Sequence, residues 1–68
     1  MSTAELAAKS VEELHVDERR LVNEIAGYEK SLEQETRQFF KDRIQGRLDE
    51  AREDLGMVRE ALRRKAAS

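Results

Sequence analysis

The chain reads as all-α, an antiparallel two-helix hairpin with coiled-coil-like packing. Apolar residues recur at alternating steps of three and four along each half. The first series is Val11, Leu14, Leu21, Ile25, Tyr28 and Leu32, with Glu18 at its one polar step, and the second is Ile44, Leu48, Ala51, Leu55, Val58 and Leu62. That spacing belongs to a helix with one narrow face for another helix. The two seams are out of phase. Continued seven residues at a time, the first would put Phe39, Asp42, Gly46 and Asp49 in the core, and three of those four resist burial. Composition agrees: 41% of residues are charged, Pro, Trp and Cys are absent, and Gly occurs three times. Such a mix suits long solvated helices and offers little turn or strand vocabulary.

The elements follow in order. Ala4, Glu5, Leu6, Ala7 and Ala8 favour helix, and Ala4 and Ala7 share the phase of Val11, so residues 1–9 are expected as a helical extension or a frayed end. Ser10-Val11-Glu12-Glu13 has the Ser-x-x-Glu form of a capping box, in which each side chain bonds the other residue's backbone N–H. A first main helix is therefore expected over 10–33, roughly 35 Å long. The phase slip puts the turn at 33–37, with Thr36 as N-cap of a second helix over 37–65. One unbroken helix in a long dimer is the competing arrangement, and the slip weighs against it.

At 68 residues the chain is expected to be a single domain, 1–68. It falls below the ~70–80 residues at which one apolar core suffices unaided. With no Cys and one His, neither disulfides nor a zinc centre can supplement that core. The hairpin is thus expected to complete a helical bundle, as a homodimer or with a helical protein partner. Residues 1–35 carry nine acids and four bases, whereas 36–68 carry nine bases and six acids. Unlike halves attract when packed antiparallel. No segment approaches the ~20 apolar residues that span a bilayer, and the first ten residues lack the basic start and apolar run of a signal peptide. A soluble, cytoplasmic protein with no membrane contact is the expectation.

The expected interface comprises the seam positions, Glu18, Val22, Phe39 and Phe40. Glu18 puts a carboxylate in an apolar stripe, where a polar residue can specify register or partner at some cost in stability. Tyr28 is expected in the core with its hydroxyl at the rim. Val22 widens the first seam, as a bundle of three or four helices requires. Phe40 can reach Ile44 one turn on and seal the hairpin end, which leaves Phe39 for a partner.

Chemistry is sparse. Glu12 and His15 have the Glu-x-x-His spacing of helical metal sites, but they flank the seam and further ligands are wanting, so no metal and no cofactor is expected. There is no nucleophile–base arrangement, Gly-rich phosphate loop or pocket, and so no enzyme is expected. The reading is a protein–protein interaction module, an adaptor, assembly factor or co-chaperone. Phe39, Arg43 and Arg47 share one face near Arg37 and Lys41, an aromatic among cations that can stack a base and hold phosphates. In size, hairpin form and charge the chain resembles the small plasmid-copy-number regulators that dimerise into four-helix bundles and grip paired RNA loops, with no motif shared. An RNA-binding regulator is accordingly the alternative. In length and architecture it is similar to the hairpin co-chaperones of type III secretion needle subunits, with no stretch that carries a residue across.

Overall fold

A computed structural model describes residues 1–68 as three helices and no strand: α1 (Thr3–Ala7), α2 (Val11–Gln34) and α3 (Gln38–Ala67). Helices α2 and α3 pack side by side over most of their length, and α1 folds back onto α3. The result is a rod of 47 × 17 × 14 Å with a radius of gyration of 14.1 Å. A close-packed chain of this length would have about 11 Å.

Each helix start has a local cause. The Ser2 hydroxyl accepts a hydrogen bond from the Glu5 N–H at 3.2 Å. The Ser10 hydroxyl accepts from the Glu13 N–H at 3.1 Å while the Glu13 carboxylate accepts from the Ser10 N–H at 3.2 Å, a complete capping box. Between the long helices lie Glu35, Thr36 and Arg37. Both Glu35 (φ −80, ψ 130) and Arg37 (φ −88, ψ 124) are extended, so the chain reverses without glycine and without any positive φ. The Glu35 carboxylate accepts from the Arg37 backbone N–H at 3.0 Å and from its Nε at 2.9 Å, which clamps the turn from inside.

Three expectations are corrected here. Thr36 is not the cap of the last helix: Arg37 holds that position and offers no side-chain bond. The Glu35–Arg37 clamp settles the turn instead. The last helix runs two residues beyond 65, to Ala67. Residues 1–9 neither extend α2 nor fray. The Ser10 box starts α2 afresh, the chain bends at Ala8–Ser10, and α1 buries Leu6 (2% exposed) while Ala4 and Ala7 stay exposed. The Lys65 ammonium donates to the Ala7 carbonyl at 3.1 Å, satisfying an otherwise open helix end. At the other end of α1 the N-terminal ammonium lies 3.7 Å from Asp54.

One apolar cluster results, built from Leu6, Leu14, Leu21, Ala51, Leu55 and Val58, with Ile25, Tyr28, Met57, Ala61 and Leu62 packed around it. Leu48 is buried as well. Both seams contribute through α2 and α3, and α1 adds the third wall.

Candidate functional site

The expected interface residues divide into three groups. Leu14, Leu21, Leu48, Leu55 and Val58 are buried within the chain, so they hold the hairpin together and face no outside partner. Ile25, Tyr28, Leu32, Ile44 and Leu62 are half-buried along the α2–α3 seam. Val11, Val22, Phe39 and Phe40 are exposed. Val11, read as a seam position, sits in the first turn of α2 beside an open recess shared with Leu62 and Ala66 of α3.

Glu18 is half-buried too. Its carboxylate accepts from Arg59 Nε at 3.1 Å across the helix pair, and His15 Nδ1 stands 3.4 Å from its other oxygen. The Arg59 hydrogen bond holds the Glu18 carboxyl below the usual range, with partial burial opposing it. Arg52 and Glu29 make a second α2–α3 ion pair at 3.6 Å. His15 is thus turned toward Glu18, and no three His, Asp or Glu side chains gather as a metal site.

At the turn, the Phe39 and Phe40 rings stack edge-to-face with centroids 5.5 Å apart, a favoured aromatic geometry. The Arg37 guanidinium lies 4.1 Å over Phe40 and that of Arg43 lies 5.9 Å from Phe39, both within cation–π reach. Arg37 is also paired with Glu35, which lowers the Glu35 carboxyl and raises the Arg37 guanidinium. Phe39 remains 66% exposed. Arg43 and Arg47, on the same side of α3, enter no ion pair.

At the opposite end, α1 and α3 border a groove of about 510 Å³ lined by Leu6, Ala7, Met57 and Ala61, together with Glu60 and Arg64. Glu60 pairs with Arg63 and Arg64, the first of which chiefly holds its carboxyl low. Leu6 and Met57 fall outside both seam series. A signal for α1 was present all the same: Ser2-Thr3-Ala4-Glu5 repeats the Ser-x-x-Glu form of Ser10–Glu13, and two such boxes in tandem announce two helix starts.

No helix is long and apolar enough to cross a membrane. Compared with known proteins, the chain matches no family model, no characterised relative and no solved structure.

Proposed function

We propose that this chain is a non-enzymatic protein–protein interaction module, a small adaptor, assembly factor or co-chaperone that works by laying helical surface against another helix. Surplus surface carries this reading. The rod exposes 4983 Å², against about 4,400 Å² for a typical folded monomer of its mass. Only seven residues are buried, while Val11, Val16, Val22, Phe39 and Phe40 all face outward. Such an apolar surplus on a short bundle favours a further helix.

Photo-crosslinking side chains introduced singly at Val16, Val22 and Phe39 test the reading in cells that make the protein. At least one position should give a protein adduct of discrete mass. Absence of adducts at all three sites would sink it.

The RNA-binding alternative is favoured by one observation, the unpaired Arg43 and Arg47 beside the exposed Phe39 ring. It predicts a salt-sensitive gel shift with cellular RNA, lost on combining Phe39→Ala with Arg43→Ala. A wild-type chain that shifts no RNA removes it.

A further inference from the structure

We propose that the back of α3 is a self-complementary dimerisation face, on which Phe39 of each copy enters the groove between α1 and α3 of the other in an antiparallel pair. The inference rests on the interaction-module reading and names its partner, a second copy of this chain.

On the side of α3 turned away from the α2 seam, Phe39, Gly46, Glu53 and Glu60 alternate with Arg43, Glu50, Met57 and Arg64 at steps of four and three. This is a third heptad series, outside the two that build the hairpin. One end bears a projection, the exposed Phe39 ring. The other bears a recess, the groove of about 510 Å³ whose α3 wall runs from Glu53 past Met57 and Ala61 to Arg64 and Ser68, so that Arg64 and Ala61 line its outer end. Projection and recess lie roughly 27–38 Å apart along one helix. An antiparallel two-fold axis through the middle of α3 therefore seats each projection in the other copy's recess, as a closed, isologous interface requires.

Antiparallel helices oppose one heptad core position to the other, and here that pairing specifies four layers. Phe39 meets Arg64 of the partner subunit, Arg43 meets the partner's Glu60, Gly46 meets the partner's Met57, and Glu50 meets the partner's Glu53. The first is a cation on an aromatic face, and the second adds a third cation to the Glu60 carboxylate, which already holds Arg63 and Arg64 of its own chain. In the third a long thioether lies over bare helix, where a Cβ on Gly46 would meet nothing within 4 Å; methionine suits such irregular gaps.

The flanks agree. Phe40 falls beside the partner's Ala61, Arg47 beside the partner's Asp54, and Asp42 beside the partner's Arg63. Only the Glu50 layer opposes like charges. Register is specified too: a slip of seven residues one way leaves Arg64 past the end of the partner's α3, and the other way leaves Phe39 unopposed while adding a Glu50–Glu60 clash. The surplus of roughly 600 Å² over a typical monomer approaches the ~800 Å² that each partner buries in a standard interface.

Sedimentation equilibrium with circular dichroism tests the proposal. The wild-type chain should have twice its 7.9 kDa mass. Phe39→Ala should weaken the dimer about a hundredfold, roughly tenfold for each of two symmetry-related contacts, with helicity unchanged. Arg43→Glu should weaken it as well, and adding Glu60→Arg should restore it. A dimer indifferent to Phe39→Ala and Arg43→Glu overturns this face but leaves the interaction-module reading standing. A monomer at all concentrations that still yields a discrete crosslinked adduct with another protein does the same, and a monomer that yields none overturns both.

Discussion

Arg59 Nε donates to the Glu18 carboxylate at 3.1 Å, joining residues forty-one positions apart in the chain. The polar step in the first seam is thereby paired, not left as an isolated charge against apolar neighbours, and it fixes how α2 lies on α3 near the open end.

The pair has a pH signature. The Glu18 carboxyl is held below its ordinary 4.5, chiefly by the Arg59 hydrogen bond. A carboxyl with a depressed folded-state pKa stabilises the fold fully above its unfolded pKa, and that contribution is lost as pH falls through the folded value. Glu35 and Glu60 are lowered in the same way by Arg37 and Arg63. Glu18→Gln should therefore melt below wild type at pH 7, and the two melting curves should converge as pH drops below 4.5. A difference that persists unchanged into acid would refute the pairing.

Leu14 is completely buried between the helices. Leu14→Ala should cost about 2–5 kcal/mol, a large share of the ~3–10 kcal/mol expected of a chain this size. Urea denaturation followed by circular dichroism should show a much lower midpoint, and a loss under 1 kcal/mol would contradict that burial.

Leu6 anchors α1. Leu6→Ala should release α1 from α3 while the long hairpin persists, because the remaining core is made by α2 and α3. Hydrogen exchange should then show the amides of residues 6–9 losing protection and those around Leu21 and Leu55 retaining it. Uniform loss across the chain would mean that α1 is integral to the hairpin.

Gly27 lies mid-helix in α2, with open space where a Cβ would project. Gly27→Ala should stabilise the chain by about 0.5–1 kcal/mol, through a smaller loss of backbone freedom on folding. A lower denaturation midpoint would show that something approaches the helix there.

Much of the hairpin was legible because seam residues carry their own periodicity. Leu14, Leu21, Leu48, Leu55 and Val58 lie at heptad steps and are buried, and Ser10 and Glu13 cap α2 through bonds only three residues apart. Contacts of that range are written in local order. The turn was harder. Without Gly or Pro, its end residues could be bracketed only by the phase slip, and the Glu35–Arg37 clamp that replaced a Thr36 cap depends on side-chain conformations that no spacing encodes. Val11 keeps the seam's phase yet stays exposed, because the α3 residues that border it, Leu62 and Ala66, leave an open recess beside it.

By itself the sequence determined the all-helical class, the reversal between two out-of-phase seams and the cap that opens α2, since each follows from residues within a few turns of one another. Only the tertiary structure decided that α1 turns back onto α3, that Lys65 closes its end at the Ala7 carbonyl, and that Glu18 finds Arg59. These depend on meetings between distant segments, whose partners are chosen by the three-dimensional course of the chain. The α1–α3 groove is the plainest case. Leu6 and Met57 stand fifty-one residues apart and off both seams, and they share a surface only because the chain folds α1 across α3.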